Sequence, residues 1–425
     1  MTRWKLGIAA AMVGVMGAVA GCSGDSGSSG ESTLDVWFND PGTELQPVIQ
    51  KVMTDFEAKN SGVKINLRFV GGADTHQNYL TAVAGGAPPC VAQLGNTWTP
   101  EFASMDALAE ADLKLDEAKQ RFVGSMVDSA TMDGKVYGYP YNVGNRAFVY
   151  RKDLLEKSGV QVPKTWDEVA VAAKKLNEDN KKDGIAGFGI MGGEIWQYVP
   201  LVWNWGGDIA VKEGDSWKAT MNSTEAKAAF DWYAKLLTAD KLSPPDSANW
   251  VAADGTKAFA LGKVAMGIYA SFQLKSMLAQ SPDLKDKVGV VELPTGPAGN
   301  NDTFAGGSNL VVFKDCKYTE DAQALVRHMV EPGNVTGYTR GIGMLPASLA
   351  GIQEEQTSGS FADPLFKPFG DQAKHTRYVP ADPSWGKVEG SGALVNAMQA
   401  LMGGKSDLNS TMDKLNTEIT EAFSK

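Results

Sequence analysis

The strongest constraint on the fold is a regular alternation of strand-like and helix-like stretches along the chain. Apolar and polar residues alternate in "TLDVWF" (33–38) and "VKINLRFV" (63–70), which is the period of a β-strand with one buried face. Between these stretches, apolar residues recur at helical spacing: Leu45, Val48, Ile49, Val52, Met53 and Phe56. This β-α-β order predicts an α/β protein built on mostly parallel sheets.

Two later helices have recognisable starts. Thr165 is followed three residues on by Glu168, and Asn222 is followed in the same way by Glu225. In such a capping box, the first side chain accepts a hydrogen bond from the backbone of the first helical turn. We therefore predict helices that begin directly after Thr165 and after Asn222.

The N-terminus has the features of an export signal. Arg3 and Lys5 precede an uncharged stretch of 16 residues, Leu6 to Gly21, which is shorter than the ~20 residues that span a bilayer as a helix. The next four-residue pattern, "VAGC" (19–22), resembles the lipobox of bacterial lipoproteins, in which the cysteine is lipidated. We predict a signal peptide at 1–21 and a lipid anchor at Cys22.

A flexible tether follows that cysteine. The ten residues 23–32 are almost all Ser, Gly and acidic residues, and such a coil reaches roughly 17–19 Å. The prediction is a lipidated cysteine and tether at 22–32 that hold a folded protein outside the cytoplasm and next to the cell membrane. A plain secreted protein with an incidental Cys22 is the alternative.

Charge and cysteine content narrow the function. The net charge is −10 and basic blocks are missing, which disfavours nucleic acid or anionic lipid as the ligand. Apart from Cys22, the sequence holds Cys90 and Cys316. In an exported protein, such a pair is a disulfide candidate, and two separate buried thiols are the alternative.

Motifs of common enzymes and cofactor sites are absent or incomplete. Neither H-E-x-x-H nor G-x-S-x-G occurs, and His76, His328 and His375 share no metal-ligand spacing. "GFGIMG" (187–192) matches the dinucleotide pattern G-x-G-x-x-G, but a polar stretch precedes it where a buried strand should end. We therefore expect no metal and no cofactor. A carboxylate pair for glycoside hydrolysis stays open as an alternative.

An aromatic cluster gives the clearest hint of a ligand. "EIWQYVPLVWNWGG" contains, within twelve residues, Glu194, Trp196, Tyr198, Trp203 and Trp205. A sugar ring presents an apolar face and a rim of hydroxyl groups, so a site for it needs flat aromatic surface beside carboxylates and amides. We expect at least one of these tryptophans to border a ligand cleft and no more than half of them to do so, the others packing in a core.

The chain resembles the extracellular solute-binding lipoproteins that deliver sugars to ABC importers, the maltose-binding-like group, over nearly all of its mature length. The resemblance lies in the order and spacing of "TLDVWFNDPG", "YLTAVAGGAPPCVAQLGNTW", "DGKVYGYPYNVGNRAFVYRKDLLEKSGV", "PKTWDEV", "AFALGKVAMGIYASF", "VELPTGPAGNNDTFAGGSNLVVFK" and "GMLPA". It implies a periplasmic-binding-protein-like fold, with two α/β lobes, a multi-segment hinge and a ligand cleft between the lobes. The implied bounds are 33–142 and 295–343 for lobe 1, 147–287 and 348–425 for lobe 2, and 142–146, 288–294 and 344–346 for the hinge crossings.

The resemblance also implies which residues contact the ligand. Matched position by position, these are Asn39, Asp40, Asn96, Thr97, Trp98, Asn145, Arg146, Glu194, Trp196, Phe272, Gly307, Ser308 and Trp385. The family usually has Pro-Asp-Val where this chain has "PCV" (89–91), so Cys90 replaces a carboxylate at the start of a strand. Cys90 lies at the start of one strand, and Cys316 follows another strand that is assigned to the same lobe. We expect these two strands to be antiparallel neighbours joined by a Cys90–Cys316 disulfide.

The function that these expectations imply is capture without chemistry. We expect the lobes to close on a sugar, in particular an oligosaccharide, and an ABC permease to receive it. The expected partners are the carbohydrate, the transmembrane subunits of the permease and the membrane through Cys22, with no nucleic acid and a monomeric protein. The alternatives are a surface-anchored glycoside hydrolase and a binding protein for a non-sugar solute.

Overall fold

The computed structural model describes residues 31–72, 74–214 and 216–424. The predicted signal peptide, the lipid-anchor site at Cys22 and most of the tether lie outside them. The described part contains the following strands: β1 Ser32–Asn39, β2 Val63–Val70, β3 Val91–Gly95, β4 Thr131–Met132, β5 Lys135–Val136, β6 Tyr139–Gly144, β7 Arg146–Arg151, β8 Ala210–Glu213, β9 Ser216–Ala219, β10 Met266–Ala270, β11 Val288–Val291, β12 Thr303–Phe304, β13 Gly306–Val312, β14 Leu345–Pro346 and β15 Thr376–Arg377.

Helices fill most of the remaining described chain. They are α1 Gln46–Lys59, α2 Thr75–Ala84, α3 Thr99–Ser104, α4 Leu115–Arg121, α5 Gly124–Ser129, α6 Lys152–Ser158, α7 Trp166–Asp179, α8 Val199–Asn204, α9 Thr224–Thr238, α10 Ala252–Ala260, α11 Ser271–Gln280, α12 Thr319–Val330, α13 Pro332–Ile342, α14 Leu349–Ser358, α15 Lys367–Gln372, α16 Trp385–Gly390, α17 Ala393–Met402 and α18 Leu408–Phe423. Short 3₁₀ helices lie at Lys181–Asp183, Ile195–Gln197, Pro245–Asn249, Pro282–Leu284 and Ser360–Ala362. The predicted α/β class is confirmed.

The larger sheet has the strand order β14-β6-β13-β3-β1-β2. β1 is parallel to both β2 and β3, whereas β13 is antiparallel to β3 and β6, and β14 is antiparallel to β6. The carboxyl ends of β1, β2 and β3 therefore meet at one edge, where ligand sites of α/β sheets form.

The smaller sheet, β10-β7-β11, has antiparallel pairs throughout. The prediction of mostly parallel sheets is thus right for β1 to β3 and for the short β12–β15 pair, and wrong for the other strand pairs. Alternation and spacing identify strands, but they do not reveal the direction in which a strand from a distant part of the chain inserts.

The glycine-rich stretch 187–192 packs closely against neighbouring backbone. A Cβ atom at Gly187 would overlap the carbonyl oxygen of Ala173 in α7, and one at Gly192 would overlap that of Ala248. Gly189 forms a parallel bridge to Gly267 at the edge of the smaller sheet. These glycines serve helix–sheet contact, which accounts for the dinucleotide-like pattern without a nucleotide.

Helix starts agree with the sequence to within one residue. The Thr165 hydroxyl accepts a hydrogen bond from the Glu168 amide at 3.2 Å, as predicted. For α9, however, the cap is Ser223, whose hydroxyl accepts from the Ala226 amide at 3.2 Å. Asn222 was the wrong choice because both residues are good caps and only the backbone geometry decides between them.

A disulfide joins Cys90 and Cys316, with the Cα atoms 4.7 Å apart. Cys90 directly precedes β3, and Cys316 lies four residues beyond the end of β13. Because β3 and β13 are antiparallel neighbours, the residue before one strand and the residues after the other lie at the same end of the sheet.

The chain passes between the two sheets at few points. Asn145 alone separates β6 of the larger sheet from β7 of the smaller one. At the third implied crossing, by contrast, β14 is a strand of the larger sheet, and α14 after it is tied to α13 by an ion pair of Glu355 with Arg340.

Beyond β14, the two sheets share one core, which contains Leu345 and Ala373 together with Ala147 and Val290 of the smaller sheet. The Phe369 carbonyl of α15 accepts a hydrogen bond from Asn145, so α15 lies next to the start of β7. The lobe bounds and the hinge crossings, including the one at 344–346, stay a proposal.

Candidate functional site

A buried ion pair marks the start of the smaller sheet. Arg146 is the first residue of β7, and its Nη2 donates to Oε1 of Glu194 at 3.0 Å. Their side chains are 8% and 17% exposed. Burial lowers the pKa of the Arg146 guanidinium, which the Glu194 carboxylate opposes. Within the described chain, Nε of Arg146 is buried without a hydrogen-bond partner, so this pair retains a donor for a ligand.

Flat aromatic surface lies close to that ion pair in sequence and in space. Trp196, two residues after Glu194, stacks on Phe304 with ring centroids 3.6 Å apart and planes 8° apart. Tyr378 continues the row at 6.5 Å from Phe304. Trp196 and Tyr378 are half-buried, so they border the protein surface rather than a sealed core. Such surface suits the apolar face of a sugar ring.

The loop after β3 contacts segments that lead to the other core. Asn96 is buried, its Nδ2 donates to the carbonyl of Ala305 at 2.8 Å, and its own carbonyl accepts from the Tyr378 hydroxyl at 3.0 Å. The Trp98 ring lies half-buried beside His76, with centroids 4.9 Å apart. This loop thus joins the end of β3 to the aromatic row.

Helix α16 faces the same loop from the opposite side. Trp385 and Val388 of this helix are buried in the core of the smaller sheet, while a Cβ atom at Gly386 would lie 3.1 Å from Oε2 of Glu101 in α3. Burial raises the pKa of the Glu389 carboxyl, and the nearby Thr97 hydroxyl opposes that rise. Glu389 therefore belongs to the site, although the sequence analysis did not select it.

Arg146 also lies near an exposed aromatic residue. Its register partner in β10 is Ala270, and Phe272 follows two residues later, in the first turn of α11, with 39% of its surface exposed. Asn145 is buried and donates through Nδ2 to the carbonyl of Phe369 at 2.7 Å. Phe272 is thus available to a ligand, while this contact of Asn145 holds the chain crossing.

Four further predicted residues make their contacts within the larger sheet or its edge. The Asn39 amide donates to Oε1 of Gln93, and Asp40 accepts from the Gly42 amide at 2.9 Å. Ser308 accepts from Nε2 of Gln93 at 2.7 Å. A Cβ atom at Gly307 would overlap the carbonyl oxygen of Asn142 in β6, so this glycine is needed for strand packing.

The predictions for Trp385 and for the aromatic cluster that contains Trp196 have different outcomes. Trp385 is fully buried, so its ring packs in the core and does not border a cleft. Of the cluster in "EIWQYVPLVWNW", Trp203 and Tyr198 are buried and Trp196 and Trp205 are half-buried. Trp196 faces the candidate site, whereas Trp205 packs against Trp232, with centroids 5.4 Å apart.

The site residues that the sequence analysis missed come from segments without a motif. Phe304, Tyr378 and Glu389 lie in β12, just after β15 and in α16, and only the chain crossing brings them to the loop after β3. No group of three or more His, Cys, Asp or Glu side chains in the described ranges could hold a metal ion. No helix within those ranges has both the length and the apolar character to cross a bilayer.

Comparison with known proteins agrees with this architecture. A family model described as "Bacterial extracellular solute-binding protein" matches residues 39–336. The diacetylchitobiose binding protein DasA of Streptomyces coelicolor is 29% identical over 381 residues, which cover 88% of this chain and 86% of DasA.

Solved structures share the fold. The sugar-binding protein MalE from Xanthomonas citri superposes with a TM-score of 0.80 at 24% identity, over 92% of this chain and 98% of that one. A cyclo/maltodextrin-binding protein complexed with maltotetraose gives 0.78 at 20% identity, again over 92% and 98%. The family match spans well over half of the sequence, and the chain belongs to the bacterial extracellular solute-binding proteins.

Proposed function

We propose that the chain is the substrate-binding subunit of an ABC importer that captures a sugar, in particular an oligosaccharide, outside the membrane and delivers it to the permease. The observation that carries this proposal is the half-buried ring of Trp196, stacked flat on Phe304 beside the buried Arg146–Glu194 pair. The sugar-binding relatives support it.

The site has both kinds of group that a carbohydrate needs. The exposed face of the aromatic row contacts the CH face of a ring, and Phe272 supplies a second apolar surface. Arg146 and Glu194 donate to and accept from hydroxyl groups. Several aromatic positions in separate segments suit a ligand of more than one ring. Trp98 and Thr97 contribute from the loop after β3.

Binding is coupled to movement of the lobes. The loop after β3 and helix α16 belong to different cores, so a sugar held between them contacts both only when the lobes are closed. Such a ligand shifts the hinge equilibrium toward the closed form, which the permease recognises. An affinity in the micromolar range, about −8 kcal/mol, permits both capture and release.

The test is a thermal-shift screen followed by calorimetry. The panel contains glucose, maltotetraose and diacetylchitobiose, since a ligand that binds only the folded protein raises its melting temperature. Trp196→Ala should weaken binding of the active sugar about tenfold, the loss of an aromatic contact worth ~1–1.5 kcal/mol. Trp232→Ala is the matched control, because Trp232 is also half-buried but lies in α9, where it packs against Trp166.

The same incubation separates binding from hydrolysis. The relatives in the comparisons are binding proteins, and we propose that this chain likewise leaves the sugar intact. Chromatography of the sugar after prolonged incubation should show one unchanged species. Shorter products that depend on Glu194 or Glu389 would support a glycoside hydrolase instead.

We also propose that the mature protein is a monomer anchored through lipid at Cys22. Two or more acyl chains on one residue give stable membrane attachment. Cys22→Ala should release the protein from the membrane fraction into the medium, and the mass of the wild-type N-terminal peptide should include the lipid. An unmodified Cys22 in that peptide would contradict the anchor.

A further inference from the structure

Glu389 occupies an unusual position for a carboxylate. Its helix, α16, is fixed by Trp385 and Val388 in the core of the smaller sheet, and Gly386 of the same helix lies against Glu101 of α3. The carboxyl group therefore lies where one lobe meets the loop after β3 of the other.

One oxygen of this carboxyl group lacks a hydrogen bond. Oε2 of Glu389 is buried and has no partner among the residues that the structure describes, although the Thr97 hydroxyl and the Trp385 indole act on the same carboxyl group. Leaving a buried acceptor unsatisfied is unfavourable, and more so when the acceptor is charged. Such an atom at the border between two lobes is expected to find its donor in the ligand.

We propose that Glu389 is a ligand-binding residue that accepts a hydrogen bond from a sugar hydroxyl through Oε2, and that it does so as a carboxylate. This inference rests on the proposed function. It assigns to α16 a role in recognition that is separate from the aromatic row, and it makes the affinity depend on the protonation state of Glu389.

The direction of the pH dependence follows from proton balance. Burial raises the pKa of Glu389 in the ligand-free protein above its ordinary value of 4.5. A donated hydrogen bond stabilises the carboxylate and lowers that pKa in the complex. Binding near the ligand-free pKa therefore releases a proton to the solvent, and affinity falls as the pH drops, by at most about tenfold per pH unit for one proton.

Other charged groups surround the carboxyl group, and their effects on the pH dependence must be distinguished from that of Glu389. Glu194 acts to raise the pKa of Glu389 and His76 acts to lower it. Other charged groups nearby are Glu101, which pairs with His76 at 2.7 Å, and Arg146, which pairs with Glu194. Burial raises the pKa of Tyr378, and Glu389 and Asp128 raise it further. Because the His76 imidazole acts on Glu389 in this way, a variant without it is a necessary control.

The test measures affinity by calorimetry between pH 7.5 and 5.0, with diacetylchitobiose or maltotetraose, whichever binds in the screen. For the wild-type chain, we expect the affinity to fall about threefold or more over this range. Glu389→Gln should bind about tenfold more weakly at pH 7.5, because a charge-assisted hydrogen bond is replaced by a neutral one, and its affinity should not change with pH.

Two control variants make the result specific. Glu178→Gln, at an exposed carboxylate in α7, should behave like the wild type, and His76→Gln should keep the pH dependence. Equal pH profiles for wild type and Glu389→Gln, or a profile abolished only by His76→Gln, overturn this inference and leave the proposed function intact. If neither sugar binds to the wild-type chain, the proposed function and this inference both fail.

Discussion

The buried pair of Arg146 and Glu194 allows a quantitative test of how the site is held together. The two side chains are 8% and 17% exposed and are joined by one hydrogen bond of 3.0 Å. Removing one member of a buried pair leaves the other charge without a counter-ion, which typically costs about 3–5 kcal/mol. Because Glu194 retains some contact with solvent, we expect Arg146→Met to lose about 3 kcal/mol, the lower end of that range.

The double variant separates the pair from the individual side chains. Glu194→Met alone should also lose about 3 kcal/mol, since it leaves the Arg146 guanidinium buried and unpaired. Arg146→Met/Glu194→Met removes both charges and should have nearly the stability of the wild type, because apolar replacements of buried pairs are often neutral. The expected coupling free energy is therefore about 6 kcal/mol, because the double variant shows neither of the two single losses of about 3 kcal/mol.

Urea unfolding without sugar, followed by tryptophan fluorescence and far-UV circular dichroism, measures these differences. Agreement of the two signals establishes whether a single free energy of unfolding describes each variant. Single variants within about 1 kcal/mol of the wild type, or effects that simply add in the double variant, would refute the view that the two charges depend on each other.

Three further predictions test contacts described above. Cys90→Ser/Cys316→Ser should lower the free energy of unfolding by about 2–4 kcal/mol, and reductant should destabilise the wild type but not this variant. Gly187→Ala should destabilise by about 2 kcal/mol or more, because its methyl group would overlap backbone of α7; a stability equal to that of the wild type would contradict the close approach. Ser223→Ala should cost about 1 kcal/mol in thermal unfolding, whereas Asn222→Ala should have little effect; the reverse order would restore the cap predicted from the sequence.

Local signals in the sequence predicted the elements well. The alternation in 33–38 and 63–70 corresponds to β1 and β2, and the helical spacing between them corresponds to α1. The cap at Thr165 was right and the one at Asn222 was one residue early, because capping depends on backbone angles that neighbouring polar residues do not determine. Strand direction required knowledge of which distant segments pair, which local periodicity does not contain.

The residues of the candidate site also fall into those that the sequence predicted and those that only the tertiary structure reveals. The resemblance directed attention to Arg146, Glu194 and Trp196, and the structure brings these together. Glu389 was missed because it is one of 50 acidic residues, and its burial arises only when α16 meets the loop after β3. Trp385 was selected for its aromatic ring, yet that ring packs in the core.

The connection through Asn145 restricts how the two halves can move. Only one residue separates β6 from β7, and its amide side chain donates a hydrogen bond to the Phe369 carbonyl. This short connection disfavours sliding of one half over the other. Relative motion is confined to rotation about a few backbone bonds, which is a hinge motion and not a shear motion. Opening then changes the distance between facing surfaces most at the rim and least at Arg146. A sugar would lose its outer contacts first and its contact with Arg146 last.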